Sequence, residues 1–195
     1  MPPAADHAAR AGAFVAVVGP SGAGKDTLLG VAQEALAGDP GVVFVRRVVT
    51  RPSVPSLEDH DSLSTEEFLA AQAAGRFCLT WEAHGLHYGL PREVAAAYED
   101  GLTVVGNVSR AALDAIALRF PKLHVAEITA PRNILLRRLV GRDRESRAAV
   151  EARLARSAMP LPAGGWHSRT IDNSGPMQEA ASALVGMIEA ARHSP

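Results

Sequence analysis

Three glycines and a lysine near the start of the chain are the residues best suited to chemistry. Glycines stand at positions 19, 22 and 24, and Lys25 follows directly. Glycine lets the backbone curl so that successive N–H groups point inward, and the start of a helix adds partial positive charge at the same place. Lys25 would add a full cation there. The combination predicts a binding site for the phosphates of a nucleotide.

The flanking residues supply the elements that such a site needs. Apolar residues run from Phe14 to Val18, which predicts a buried strand, and residues 25–36 read as a helix. In this context Gly19-x4-Gly24-Lys25 matches the P-loop, except that Asp26 stands where a Ser or Thr normally holds Mg²⁺. The expected nucleotide contacts are Gly19, Pro20, Ser21, Gly22, Ala23, Gly24, Lys25, Asp26 and Thr27. We expect Mg²⁺ at Asp26 or Thr27. The alternative is a glycine-rich turn with a surface lysine, but the only other lysine is Lys122.

Length and charge limit what else the chain can be. The 195 residues suffice for one well-buried α/β domain. With 20 basic and 21 acidic residues the formal net charge is −1, so no overall field attracts nucleic acid or an anionic membrane. The apolar run after residue 12 is too short to span a bilayer, and the single cysteine, Cys78, excludes an internal disulfide. We therefore expect a cytoplasmic protein with a flexible N-terminus over residues 1–12.

Apolar runs alternate with helical patterns along the chain. Further strands are predicted over 42–49, 77–82, 102–107, 123–129 and 169–172. Helices are predicted from the capping box at Ser64 to about 74, from Pro91 to about 100, over 109–120, from Pro131, over 146–158 and over 177–191. Residues 53–62 and 83–90 read as loops. Strands that alternate with crossover helices predict a parallel sheet with helices on both faces, and right-handed crossovers place the strand-end loops along one rim.

Arginines are the other candidates for phosphate binding. Arg51 lies where a strand meets a loop and could grip a phosphate through two parallel hydrogen bonds. Arg46 and Arg47 are each interpreted as solvated. In the arginine-rich segment after residue 136 most charges would form a solvated helix face, but a few could close over the nucleotide as a lid. Our choices for that lid are Arg138, Arg142 and Arg153.

Two loops carry further polar residues whose roles stay open. The acidic residues Glu58, Asp59 and Asp61 could hold Mg²⁺ or could simply be solvated. His84 and His87 flank Gly85 without Cys or carboxylate partners at zinc-like spacing, which leaves substrate contact or plain loop structure.

Several motifs, in order and spacing, resemble those of guanylate kinases from Phe14 to Ala191. They are Gly19-Pro-Ser-Gly-Ala-Gly-Lys25, Val49-Thr-Arg-Pro52, Glu66-Glu-Phe68, Gly75-Arg-Phe77, His84-Gly85, Tyr88-Gly89 and Arg138-Leu-x-x-Arg142. Two positions depart from that family. That family carries a second arginine three residues after the one matching Arg51, and this position is Val54 here. The position of its guanine-reading glutamate is Leu79 here. A leucine leaves the base edge unpaired, at a cost of about 10⁴-fold in selectivity, so GMP is a poor candidate.

Other details resemble the ribose 1,5-bisphosphate phosphokinases of phosphonate breakdown, which share the guanylate-kinase architecture. They are Gly-Lys-Asp at 24–26, the residues 46–52, Glu58-Asp-His60, the residues 81–91, Asn107-Val-Ser-Arg110 and Asp172-Asn-Ser-Gly175. Asp26, which differs from the Ser or Thr of the general P-loop, matches the residue found in this group. Asn107 takes the position of an acidic guanylate-kinase residue, which suits a hydroxyl-rich sugar as well as a base.

The resemblance implies one kinase domain over 13–192, with a substrate-binding region at about 50–90 and a lid at about 138–156. It implies ATP and Mg²⁺ as cofactors and transfer of the γ-phosphoryl group to the 1-phosphate of ribose 1,5-bisphosphate. Catalysis would rest on Lys25, Arg51, Arg138 and Arg142, and the substrate would contact Arg51, His84, Tyr88, Asn107 and Arg153. A homodimer is left open.

Three alternatives to this interpretation stay in view. One is a nucleoside monophosphate kinase, against which Leu79 and Val54 argue where guanylate is concerned. Another is a guanylate-kinase-like module that only binds partner proteins, which the retained Lys25 and Arg51 disfavour. A P-loop GTPase is disfavoured because no Asn-Lys-x-Asp motif for reading the base occurs.

Overall fold

A computed structural model describes residues 11–51, 60–83, 85–140 and 160–194. Within these ranges the strands are β1 Ala13–Val18, β2 Val42–Val45, β3 Arg47–Val49, β4 His60–Ser62, β5 Phe77–Ala83, β6 Leu86–Pro91, β7 Thr103–Asn107, β8 Leu123–Thr129 and β9 His167–Asp172. The α-helices are α1 Lys25–Ala35, α2 Thr65–Ala73, α3 Glu93–Glu99, α4 Leu113–Arg119, α5 Arg132–Val140 and α6 Met177–Arg192. A short 3₁₀ helix, Arg110–Ala112, precedes α4.

A five-stranded parallel sheet forms the centre of the molecule. Its order is β2-β7-β1-β8-β9, and every residue of β1 is buried. The side chains of Val15 and Val17 pack in one core with α1, α5 and α6. Those of Phe14, Ala16 and Val18 pack in a second core with α3 and α4. Because both faces are covered, β1 reads as a continuous apolar run rather than an alternating one. The predicted parallel sheet with helices on both faces is confirmed.

A smaller mixed sheet extends the molecule beyond β2. Its order is β4-β3-β6-β5, with β3 parallel to β4 and antiparallel to β6, which in turn is antiparallel to β5. Helix α2 lies on one face, where the ring of Phe68 stacks on those of Phe77 and His87. The predicted capping box opens α2: the Ser64 hydroxyl accepts the Glu67 N–H at 3.2 Å, and the Glu67 carboxylate accepts the Ser64 N–H at 2.8 Å.

Several predicted boundaries in this smaller sheet are wrong. The single strand predicted over 42–49 is broken at Arg46, so that β2 joins the large sheet and β3 joins the small one. Two segments predicted as loops contain strands, namely His60–Ser62 and Leu86–Pro91. Pro91 ends β6 instead of opening a helix, and α3 begins at Glu93. These strands are short or rich in polar residues and glycine, and each pairs with β3 in the folded sheet.

The remaining predicted elements lie within two residues of their observed bounds, apart from the split of the helix over 109–120 into a 3₁₀ turn and α4. Residues 1–10, 52–59, 84, 141–159 and 195 lie outside the described residues. The predicted helix over 146–158 and most of the expected lid fall within 141–159. Among the described residues, no helix combines the length and hydrophobicity needed to cross a bilayer.

Candidate active site

The loop between β1 and α1 has the backbone shape predicted for a phosphate cradle. Gly19 has a φ of 146°, Gly22 of 82° and Gly24 of 89°, a region that side-chain-bearing residues rarely adopt. A Cβ at Gly19 would collide with the Ile128 carbonyl oxygen. Gly24 is the N-cap of α1, so the loop delivers the chain directly into the positive end of that helix. The chain turns here because the buried strand β1 is followed by glycines, which adopt positive φ values without strain.

Lys25 bends over this loop. Its ammonium group donates to the carbonyl oxygens of Gly19 at 2.9 Å and Pro20 at 3.1 Å, and the side chain is half-buried. The charge therefore lies against the loop backbone. Its contact with nucleotide phosphates stays a prediction.

The next residue, Asp26, contacts the end of the neighbouring strand β7. The Asn107 amide donates to the Asp26 carboxylate at 2.6 Å, and the Asn107 carbonyl oxygen accepts from Arg47 Nη1 at 2.6 Å. Asn107 is 7% exposed, whereas Asp26 is half-buried and Thr27 is exposed. The structure thus brings together two predicted site residues, Asp26 and Asn107, and adds Arg47, which the sequence suggested was solvated.

The other side of the loop rests on α5 and on the segment after β9. Asn173, which is 5% exposed, donates from its amide to the Ala23 carbonyl at 2.8 Å. Arg138 donates through Nη2 to the Asn173 carbonyl at 2.8 Å, and through Nη1 to the carbonyls of Gly22 and Ala23 at 3.5 Å each. Arg138 therefore supports the loop in addition to the lid role predicted for it. Asn173 was not among the predicted site residues, although it belongs to the motif Asp172-Asn-Ser-Gly175.

The face of the small sheet opposite α2 carries several of the predicted and newly found site residues. Val49 pairs with Tyr88, and Tyr88 pairs with Trp81, so these three side chains share one face. Arg47 shares it because it stands two residues before Val49. The Trp81 and Tyr88 rings stack at 5.3 Å between centroids, with an interplanar angle of 9°. Arg47 reaches the end of β7, where Asn107 contacts Asp26, so Arg47 joins this face to the P-loop rim.

The same face carries the residue that departs from the guanylate-kinase pattern. Leu79 precedes Trp81 by two residues on β5, pairs with Leu90 and packs partly buried against the second core. An apolar side chain therefore stands where the resemblance calls for a carboxylate. His87 points to the opposite face, against Phe68, so it lies behind this surface.

The remaining predicted site residues are either exposed or outside the described residues. Arg51 is exposed just after β3, next to Thr50, whose hydroxyl accepts the His87 N–H at 2.9 Å. The predicted substrate contacts His84 and Arg153 and the predicted lid residue Arg142 lie outside the described residues. Their roles stay predictions.

The single cysteine is no candidate nucleophile. Burial raises the pKa of the Cys78 thiol, an effect that the Arg119 charge offsets only in part. The thiol donates to the Pro91 carbonyl at 3.3 Å. Because the thiolate is the reactive form, Cys78 is a structural residue at neutral pH.

The carboxylate beside Lys25 suits Mg²⁺. The described residues contain no cluster of three or more His, Cys, Asp and Glu side chains that could enclose a metal by themselves. In phosphoryl-transfer sites Mg²⁺ usually binds one or two carboxylates together with substrate phosphates, so a single carboxylate at the loop is what that arrangement requires. Asp26, partly exposed and held by Asn107, meets this requirement.

Comparisons with known proteins agree with this geometry. No protein-family model matches the chain. The guanylate kinase of Anaplasma phagocytophilum superposes with a TM-score of 0.67 at 18% identity, covering 95% of this chain and 88% of that one, which shows the fold. The ribose 1,5-bisphosphate phosphokinase PhnN of Brucella melitensis is 46% identical over 174 residues, 89% of this chain and 90% of the relative. That of Methylobacterium radiotolerans is 48% identical over 180 residues, 92% and 98% of the two chains. With such identity over nearly the full length of both relatives, the chain belongs to the ribose 1,5-bisphosphate phosphokinase family.

Proposed function

We propose that this protein transfers the γ-phosphoryl group of ATP to the 1-phosphate of ribose 1,5-bisphosphate, giving 5-phospho-α-D-ribose 1-diphosphate and ADP. The observation that carries the proposal is the link between a P-loop and the small sheet in a member of this family. Arg47 of the small sheet contacts Asn107, which contacts Asp26 beside Lys25, and Tyr88 and Trp81 share the face of Arg47. Leu79 on that sheet offers no carboxylate to a guanine edge, which supports a sugar phosphate over GMP.

The chemistry asks for positioning and charge neutralisation. An oxygen of the 1-phosphate attacks the γ-phosphorus, the new O–P bond forms, and the bond to the β-phosphate oxygen breaks with release of ADP. The attacking phosphate is already ionised near neutral pH, so no strong general base is needed. Loop N–H groups and Lys25 would hold the β- and γ-phosphates, and Arg51 and Tyr88 would hold the acceptor.

Mg²⁺ belongs to the proposal as well. Asp26 and Thr27 would hold it, directly or through water, and when bound it neutralises charge on the β- and γ-phosphates. Asn107 keeps the Asp26 carboxylate oriented through its 2.6 Å hydrogen bond. The lid at about 138–156, with Arg142 and Arg153, would complete the neutralisation of charge.

An acceptor panel tests this function. The protein is incubated with Mg-ATP and either ribose 1,5-bisphosphate or each nucleoside monophosphate, and ADP and new diphosphate signals are followed by ³¹P NMR. We expect a diphosphate only with ribose 1,5-bisphosphate. Turnover with GMP alone would assign the protein to the nucleoside monophosphate kinases, and no turnover with any acceptor would favour a binding module.

A further inference from the structure

Arg47 and Arg46 are adjacent in sequence but have different surroundings. Arg46 is exposed, donates to the His60 carbonyl at 3.3 Å and forms an ion pair with Asp61 at 3.2 Å, with 56% and 59% of the two side chains accessible. Arg47 is half-buried and donates to the Asn107 carbonyl at 2.6 Å. Arg46 lies at the break between β2 and β3, and its side chain contacts β4, whereas that of Arg47 contacts the end of β7. Of the two, Arg47 lies toward the P-loop.

The route from Arg47 to the phosphate loop is short. Asn107 accepts from Arg47 with its carbonyl and donates from its amide to Asp26 at 2.6 Å. Asp26 directly follows Lys25, whose ammonium group covers the loop opening. One residue therefore separates the Arg47 guanidinium from the residues expected to hold the γ-phosphate and its metal ion. Tyr88 lies farther away, since its partner Val49 is two residues along β3, about 6–7 Å.

This order along β3 fits the two ends of the acceptor. The 1-phosphate must come within bonding distance of the γ-phosphorus, so its ligands must lie at the P-loop end of the sheet. Two phosphates that approach each other repel, and a partly desolvated guanidinium can offset that repulsion with two parallel N–H···O bonds. Arg47 is placed for this end of the acceptor, whereas Tyr88 is placed for the ribose and the 5-phosphate.

We propose that Arg47 binds the 1-phosphate of the acceptor, the group that receives the phosphoryl group. This inference rests on the proposed function, because it assigns one residue to one end of its substrate. It reverses the sequence-based interpretation of Arg47 as a solvated side chain, and it gives the acceptor a direction in the site. The 1-phosphate lies beside Asn107 and the 5-phosphate beyond Tyr88.

A truncated ligand separates this role from a general effect. Ribose 5-phosphate lacks the 1-phosphate, so it should bind without help from Arg47. We compare Arg47→Gln and Arg47→Lys with the matched neighbour Arg46→Gln, measuring kcat/KM for ribose 1,5-bisphosphate, KM for ATP and inhibition by ribose 5-phosphate. Loss of a charged donor at the reacting group should lower kcat/KM of Arg47→Gln by about 100-fold or more. Inhibition by ribose 5-phosphate and KM for ATP should stay within about threefold of wild type.

Each other outcome counts against the inference. An Arg47→Gln enzyme with near wild-type kcat/KM, or one in which ribose 5-phosphate binding weakens as much as bisphosphate binding, would overturn it. Thermal melting and ATP binding by calorimetry check the fold, and if Arg47→Gln fails to fold, Arg47→Lys has to meet the same criteria, with a smaller loss. Calorimetry of ribose 1,5-bisphosphate without ATP keeps the two proposals apart. A wild-type protein that binds it through Arg47 but does not phosphorylate it would contradict only the proposed function.

Discussion

The two sheets provide binding groups of different kinds. The loop after β1 in the large sheet would bind phosphate through its backbone, and Asn173 and Arg138 hold that backbone by hydrogen bonds to the carbonyl groups of Gly22 and Ala23. The small sheet offers side chains on one pleated face, among them Arg47 and Tyr88. A site built from backbone changes only if the fold changes, whereas a site built from side chains changes with one residue. On the proposed function, this difference would let one architecture keep a nucleotide site while single residues such as Leu79 change the acceptor.

The largest expected effect comes from removing Lys25, the predicted catalytic side chain of the P-loop. Lys25→Ala should lower kcat by about 10³-fold, because it removes the cation that neutralises charge on the transferring group. The effect on KM for the acceptor should be small. The matched control is Lys122→Ala, which removes the only other lysine, just before β8. Steady-state kinetics measure both, and near-normal turnover of Lys25→Ala would refute the assignment of the P-loop as the donor site.

A smaller effect should be confined to the acceptor side. Tyr88→Phe removes one hydroxyl but keeps the ring stacked on Trp81. A hydrogen bond to a charged phosphate contributes about 1.5–3 kcal/mol, so KM for ribose 1,5-bisphosphate should rise by about 10-fold or more while KM for ATP stays unchanged. The control is Tyr98→Phe, the other tyrosine, whose buried hydroxyl accepts the Lys122 N–H at 3.1 Å. That control should cost stability and leave both KM values alone; a shared rise in KM for ATP after Tyr88→Phe would disprove the separation.

A third substitution tests whether the backbone site depends on its support. Asn173→Ala leaves the Ala23 carbonyl without the 2.8 Å hydrogen bond of the Asn173 amide. The free energy of unfolding should fall by about 1–3 kcal/mol, and KM for ATP should rise while KM for the acceptor does not. Urea unfolding and initial rates measure this. Ser174→Ala, which only loses a hydrogen bond to exposed Asp172, should stay within about 0.5 kcal/mol of wild type. If Asn173→Ala lost stability but kept its KM for ATP, the support would be structural alone.

The two sheets also differ in how well the sequence predicts them. In the large sheet, β1, β2 and β7 carry apolar runs such as Val104 and Val105, and that local pattern suffices to find them. In the small sheet, Leu86–Pro91 contains His87 and Gly89 and reads as a loop, because its strand character comes from pairing with Val48 and with β5. The pairing with β3 is long-range, and neither pairing leaves a periodic signal in residues 86–91.

The same reasoning applies to the site. Lys25 and the loop glycines can be recognised from the sequence because they are close together in the chain. Asn173 acts on Ala23 across 150 residues, and Arg47 contacts Asn107 across 60, so only the folded chain brings them to the loop. The motif around residue 173 hinted at a role without saying which group it would contact. Arg47 gave no signal that distinguished it from Arg46.

The smallest expected effect concerns stability alone, at the opposite end of the large sheet. His124 pairs with Val15, which lies three residues before the end of β1. The His124 side chain is 7% exposed, and its ring stacks on that of His167 at 5.4 Å between centroids. Burial, and secondarily the His167 charge, lower the pKa of His124 below its usual value. The unfolded chain then binds more protons below about pH 6.5, so the free energy of unfolding falls as pH drops through that value. Between pH 7.5 and 5.5, Tm of wild type should fall about 2–4 °C more than Tm of His124→Gln. Exposed His193→Gln should behave as wild type, and an equal fall in all three proteins would show that His124 is not responsible.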